Sequence, residues 1–203
     1  MFVVGIDVGT RNLGMCIVQQ GVSAQPMRLF RWVNVDLVPN AKNINKVDMA
    51  RLISCAVDQV WDILGEARRL SNSTISVAIE RQPNCNPRMK ALGASIFSAC
   101  YLFTKLNQNS RVSYVSPGKK FLVSKSSCVN RSSLSAKATA RARYIANKKD
   151  GILTCRMLLD TGKVEFVGET AELGREIFDN SRKKDDLADS LLVALSYLKV
   201  ELP

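Results

Sequence analysis

Acidic residues interrupt three stretches of sequence that otherwise read as folded core. Asp7 lies in Val3-Val4-Gly5-Ile6-Asp7-Val8-Gly9, Glu80 closes Val77-Ala78-Ile79-Glu80, and Asp185, Asp186 and Asp189 follow Lys183-Lys184. A carboxylate in such a run is costly to bury unless a cation accompanies it. Asp186 and Asp189 are three residues apart and share one helix face, as Asp185 and Asp189 do at a spacing of four. Clustered carboxylates repel unless cations sit between them. Hard divalent ions prefer oxygen ligands, and Mg²⁺ or Mn²⁺ fits. Two such ions about 4 Å apart would activate a water and stabilise the leaving oxygen of an in-line phosphodiester displacement. Histidine is absent from the chain, which removes His-based zinc sites and every Ser-His or Cys-His nucleophile. Each acid also has a bland explanation: Asp185 and Asp186 complement a helix dipole, and Glu80 pairs with Arg81. Lys183 and Lys184, however, precede Asp185 where the dipole disfavours cations and where a scissile phosphate would welcome them.

The elements that must position these acids follow from periodicity. Residues 1–8 form a β-branched strand with a glycine turn at Gly9. Residues 13–20 and 27–38 read as second and third strands, antiparallel because they follow in direct succession. A helix is expected from about residue 45 to 70, with Ile53, Val57, Val60, Leu64 and Ala67 on one face. Residues 74–79 form a strand that ends at Glu80. A helix over 88–107 places Met89, Leu92, Ile96, Cys100, Phe103 and Leu106 in phase, and 111–115 forms another strand. Residues 118–133 read as a basic loop and 135–149 as a basic helix. Residues 152–159 and 163–167 suit a hairpin around Asp160-Thr161-Gly162, or a helix continuing through Leu158. Short helices over 169–180 and 184–199 complete the chain, the last with Leu187, Leu191, Leu195 and Leu198 inward. Adjacent inner strands would bring Asp7 and Glu80 together at their carboxyl ends.

The chain has 203 residues, enough for one domain with a sizeable core. A formal net charge of +11 favours a polyanionic partner. No polybasic segment adjoins a long apolar run, so nucleic acid is preferred to a membrane. The six cysteines form no C-x-x-C pair; Cys16, Cys55 and Cys100 read as buried free thiols in a reducing, intracellular compartment. The first residues form a strand pattern and not a secretion signal, and no apolar run reaches membrane-spanning length.

The stretches Gly5-Ile6-Asp7-Val8-Gly9, Ile79-Glu80-Arg81-Gln82-Pro83 and Lys183-Lys184-Asp185-Asp186-Leu187-Ala188-Asp189-Ser190 resemble the poxvirus-type Holliday junction resolvases of large DNA viruses, relatives of the bacterial RuvC and mitochondrial resolvases. The resemblance covers residues 1 to about 149 and the final helix. It implies a single α/β domain of the ribonuclease H-like class. The mixed sheet would have five strands, three antiparallel and then two parallel, with helices on both faces and an insertion near 151–180. It implies Asp7, Glu80, Asp186 and Asp189 as metal ligands, Asp185 beside them, and an active-site lysine at Lys120 with Lys119 adjacent. It further implies Mg²⁺ or Mn²⁺, no nucleotide cofactor, and a homodimer making paired symmetric nicks in branched DNA. A virus would use such an enzyme on recombination and replication intermediates in the host cytoplasm or nucleus. Arg81, Arg88, Lys90, Lys119, Lys125, Arg131, Lys137, Arg141, Lys183 and Lys184 are the expected DNA contacts, tracking phosphates with recognition mainly by shape.

Three other readings compete. Asp-x-Gly-Thr also opens actin-like and sugar-kinase phosphotransferases, but those need a second lobe for which 203 residues leave little room. A binding-only relative of the nuclease fold is disfavoured because all the acids are present. An RNA-processing nuclease of the same fold differs in substrate alone.

Overall fold

Strand alternation decides which acids can meet. The computed structural model describes residues 1–22, 25–71, 74–82, 86–107, 110–118, 139–168 and 170–199. In chain order the elements are β1 Phe2–Val8, β2 Asn12–Gln19, β3 Met27–Asp36, a 3-10 turn at Ile44–Lys46, α1 Met49–Leu70, β4 Ile75–Glu80, α2 Pro87–Leu106, β5 Arg111–Val115, α3 Ala140–Asp160, β6 Val164–Phe166, α4 Thr170–Asn180 and α5 Lys184–Tyr197. They form one sheet in the order β5-β4-β1-β2-β3-β6. β1 pairs antiparallel with β2, and β2 with β3. β4 lies parallel to β1, and β5 parallel to β4.

The sheet therefore has six strands where five were expected. The sixth, β6, lies parallel to β3 at the opposite edge from β5. The strand expected over 163–167 is present but pairs with β3 and not with 152–159, because α3 runs on through Gly151 to Asp160, the helical one of the two readings of that stretch. An interior glycine weakens a helix by roughly 0.5–1 kcal/mol. Burial of Cys155 and Leu158 against α5 outweighs that cost. Asp160-Thr161-Gly162 is then not a hairpin turn but the end of the helix. Thr161 N–H donates to the Met157 carbonyl, Lys163 N–H to the Leu158 carbonyl, and Gly162 has φ +66°. This is a glycine-terminated helix end, after which the chain turns onto the edge of β3. At the other end of the series, α1 starts at Met49 and not near residue 45, because the Asp48 carboxylate caps the Arg51 N–H. On α2, Leu106 is outward and exposed, contrary to its in-phase position.

The two faces of the sheet carry separate cores. Phe2, Val4, Ile6 and Val8 pack toward α1 and α2 with Leu52, Val60, Leu92 and Ile96. Val3, Cys16, Trp32 and Ala78 pack toward α3, α4 and α5 with Cys155, Phe178, Leu187 and Leu191. Side chains alternate along a strand, so Asp7 joins Val3 on the second face and Glu80 joins Ala78 there. Both acids thus face α5.

α5 is buried nearly all round and lies directly on the strands. Gly5 and Gly14 permit this approach. A Cβ built at Gly5 would stand 2.3 Å from the Ser190 carbonyl oxygen, and one at Gly14 would stand 2.4 Å from that of Asp186. Trp32 Nε1 donates to the Leu187 carbonyl at 2.8 Å, and Cys16 Sγ–H to that of Ser190 at 3.4 Å. Gly5→Ala should lower the thermal midpoint by several degrees, the roughly 1–3 kcal/mol of an overpacked core. Gly65→Ala, in α1 with only the flexible Arg69 side chain nearby, should leave the midpoint unchanged or raise it, as measured by circular dichroism melting.

Candidate functional site

Asp7 leaves β1 one residue before its end, and Glu80 is the last residue of the parallel neighbour β4. In this pairing Gly5 lies opposite Ala78 and Ile6 opposite Ile79, which puts the two carboxylates side by side. Asp189 descends onto them from α5. One carboxylate oxygen from each of Asp7, Glu80 and Asp189 lies within 4.8 Å of the other two. Glu80 is 8% exposed, so this is a recessed group and not a surface cluster.

The three acids open into a cavity of about 510 Å³. The β1–β2 turn (Gly9, Thr10, Arg11 and Asn12) forms one wall, Arg81 and Gln82 beyond β4 a second, and Tyr144, Asn147 and Lys148 of α3 a third. Asp186 lines the same cavity but is not within the 4.8 Å group. It sits over Gly14, whose strand partner is Asn34. The Asn34 side chain hydrogen-bonds it, while Asp186 Oδ2 is buried with no hydrogen-bond partner.

Lys148 ion-pairs with Asp185, linking α3 to the first turn of α5, and its Nζ stands 4.9 Å from the Tyr144 ring centroid. Burial would raise the Asp185 carboxyl, but the Lys148 ammonium holds it below the usual carboxylate range. Burial and the Asp185 charge push Asp186 the other way, above that range, against the opposing Lys148, Lys183 and Asn34. For Lys148 burial favours the neutral amine, yet Asp185 and Tyr144 outweigh it and keep the ammonium charged. The thiols are inert by comparison: burial pushes Cys16 and Cys100 up to about 12, so neither supplies a thiolate.

The basic residues read from the sequence divide. Arg81 lines the cavity, and Lys90 lies in an adjoining groove with Arg81, Gly93 and Tyr114. Arg141 is exposed on α3, and Lys183 and Lys184 lead into α5 outside the cavity lining. Arg88, expected at the DNA, turns inward: its Nη2 donates to the Val47 carbonyl at 2.7 Å and to that of Ile44 at 3.3 Å, pinning the loop before α1 to α2. Lys119, Lys120, Lys125, Arg131 and Lys137 lie outside the described residues. The sequence marks neither Tyr144 nor Asn34 as a site residue, and Lys148 only as one base of a helix that could track phosphates. Lys148 and Asp185 are 37 residues apart, and only the packing of α3 on α5 joins them. For Lys148 the one available signal was its place in a basic helix.

An all-oxygen donor set in one cavity with an orphaned, buried carboxylate oxygen suits a hard divalent cation. Asp7, Glu80 and Asp189 are the residues that could hold one, with Asp186 beside them.

No protein-family model matches the sequence, and no curated protein sequence does. Solved structures do share the fold. The yeast mitochondrial Holliday junction resolvase Ydc2 is 18% identical, with a TM-score of 0.64 over 97% of this chain and 78% of that one. Thermus thermophilus RuvC, also solved with a Holliday junction substrate, is 18% identical, with a TM-score of 0.57 over 98% of this chain and 93% of that one. The fowlpox virus Holliday junction resolvase is 16% identical, with a TM-score of 0.55 over 98% of this chain and 99% of that one. The chain thus shares the fold of these solved structures.

Metal-free protein should report the burial of the Asp186 carboxyl beside Asp185. A carboxyl raised in the folded state binds more protons than its unfolded counterpart, so stability falls as pH rises from the unfolded value of about 3.8 through the folded one. Asp186→Asn should therefore melt above the parent at pH 7 in EDTA, with the difference vanishing below pH 3.8. Saturating Mg²⁺ should raise the parent's midpoint, by the equivalent of about 2.7 kcal/mol at a hundred times the dissociation constant. Asp189→Asn should lose most of that rise. Differential scanning fluorimetry across pH and Mg²⁺ measures both effects.

Proposed function

We propose that this chain is a divalent-metal-dependent endonuclease that resolves four-way DNA junctions. The observation that carries the reading is the convergence of Asp7, Glu80 and Asp189, from two parallel strand ends and a buried helix, in a cavity edged by Arg81 and Lys148. The +11 charge supplies attraction for a polyanion. Fold neighbours solved with Holliday junction DNA support the choice of substrate. The carboxylate faces of Asp7, Glu80 and Asp189 would hold the cations, with Asp186 as a fourth oxygen donor. When bound, Mg²⁺ or Mn²⁺, with two ions per site, would stabilise charge on the scissile phosphate and lower the pKa of an attacking water. Arg81 draws the phosphodiester into the cavity. Lys148, held by Asp185, keeps its ammonium beside the acids and offsets their repulsion. Lys119, Lys120, Lys125, Arg131 and Lys137 would extend the phosphate track, with Lys120 as a further active-site cation.

The remaining parts of the proposal concern assembly and setting. We read 1–203 as one nuclease domain whose 151–180 segment, the second half of α3 with β6 and α4, elaborates the sheet edge. A junction has two scissile strands related by two-fold symmetry, so a second copy of the chain is the natural partner. The outward face of α2 suits that contact. Leu102 is 58% exposed, Leu106 76% exposed, and Tyr101 lies beside them. No helix among the described residues is long and apolar enough to cross a membrane. Buried free thiols fit a reducing, intracellular setting. The phosphotransferase reading is not favoured, because the Asp7 turn faces two further carboxylates.

A synthetic four-way junction should be nicked symmetrically in Mg²⁺ and left intact in EDTA, with linear duplex and structured RNA cut far more slowly. Asp7→Asn or Glu80→Gln should reduce the single-turnover rate by at least on the order of a hundredfold. Junction affinity in Ca²⁺ should stay within about threefold, since phosphate contacts dominate binding. Full activity in either variant would remove that residue from the site. Faster cleavage of structured RNA would select the RNA-processing reading. Sedimentation should show a dimer that Leu102→Glu with Leu106→Glu converts to monomer; a monomeric parent chain would end the dimer reading.

A further inference from the structure

One face of α3 leads from solvent into the carboxylate cavity. Arg141, Tyr144 and Lys148 recur at spacings of three and four and therefore share a helix face. Tyr144 is 58% exposed, yet its side chain lines the cavity together with Asp186 and Asp189. Its ring is held in place: Lys148 Nζ lies over it at 4.9 Å and bonds Asp185 on the helix that carries Asp189. A continuous line of contacts thus runs from an exposed aromatic ring through an ammonium to the metal-binding helix.

The other exposed rings do not share this setting. Tyr114 is stacked on Phe97 at 4.5 Å with Arg81 on its ring at 5.9 Å. Tyr101, with Lys105 Nζ 5.2 Å from its ring centroid, and Trp61, edge-on to Phe103, lie outside the cavity lining. Among the described residues, Tyr144 is the aromatic that lines the cavity. It contributes little to the core, so its place at the rim has no packing explanation. An exposed ring flanked by cations is a platform on which an unpaired base stacks, and every base has a face to offer. A branched duplex supplies unpaired or easily unstacked bases at its branch point, which a continuous duplex does not.

We propose that Tyr144 stacks one unpaired nucleobase of the DNA strand being cut, next to the scissile phosphate, while Arg141 takes a neighbouring phosphate. The site selects an unstacked nucleotide and so contributes preference for branched over linear DNA. This inference rests on the junction-nuclease reading.

The test is a cycle between protein and substrate. Junctions carrying a single abasic position, scanned through the nucleotides on either side of the cut, are bound by the Asp7→Asn protein with Tyr144 intact or changed to Leu. On the intact junction Tyr144→Leu should weaken binding about tenfold, and Tyr144→Phe should stay within about twofold. At one abasic position the Tyr144→Leu penalty should disappear, because the ring's partner is gone. Linear duplex should show no Tyr144 dependence. If the parent chain neither cuts nor binds a junction, the nuclease reading fails and this proposal falls with it. If the parent cuts junctions but the Tyr144→Leu penalty is absent, or persists at every abasic position, stacking alone is refuted.

Discussion

The close approach of α5 to the central strands is the constraint on which the site depends. Helix and sheet backbones touch at two places where any side chain would intrude, Gly5 under Ser190 and Gly14 under Asp186. That contact brings the first turns of α5 down to the level of the strand ends, so Asp189 reaches Asp7 and Glu80. The helix is locked there by its own carbonyls, which accept hydrogen bonds from Trp32 on β3, Cys16 on β2 and Cys155 on α3. β2, β3 and α3 hold no acid of the cluster, yet they thereby fix the height and rotation of the helix that carries Asp189. Pre-positioning of this kind lets carboxylates stay close together before any cation arrives.

Electrostatics completes the arrangement. Three convergent carboxylates at a recessed strand end are unfavourable by themselves, and beside them Asp186 is raised by burial and by the Asp185 charge. The protein offsets this locally and globally. Locally, Lys148 ties itself to Asp185 and stands between α3 and the acids. Globally, the chain carries a formal net charge of +11. Under the proposed function that charge would attract a polyanionic substrate, leaving the acids for cations. The same pairing explains why Asp185 and Asp186, adjacent in sequence, behave oppositely: one meets an ammonium, the other a neighbouring carboxylate and the sheet.

Much of this was legible in the sequence, for identifiable reasons. Strand parity and the β-branched runs around Asp7 and Glu80 placed both acids at the ends of inner strands, and the pairing of β1 with β4 bears this out. Helix spacing placed Asp186 and Asp189 on one face, but it says nothing of how α5 crosses the sheet. That crossing makes Asp189 part of the 4.8 Å group and leaves Asp186 toward Asn34. Arg88 reads as a surface cation because carbonyls 41 and 44 residues away are invisible to local pattern. The strand over 163–167 was legible, but its partner was not: Gly151 suggests a break that the buried Cys155 and Leu158 override, so 152–159 is helix and β6 pairs with β3. Lys148 reads as one more base in a basic helix, and only the docking of α3 on α5 brings it to Asp185.

The central claim is that Asp7, Glu80 and Asp189 together hold divalent cations. Its most direct measurement is the anomalous scattering of crystals grown or soaked with Mn²⁺. The account predicts strong anomalous peaks at bonding distance from carboxylate oxygens of all three residues. Mn²⁺ bound elsewhere on the chain, with the Asp7, Glu80 and Asp189 carboxylates carrying no peak, would contradict it.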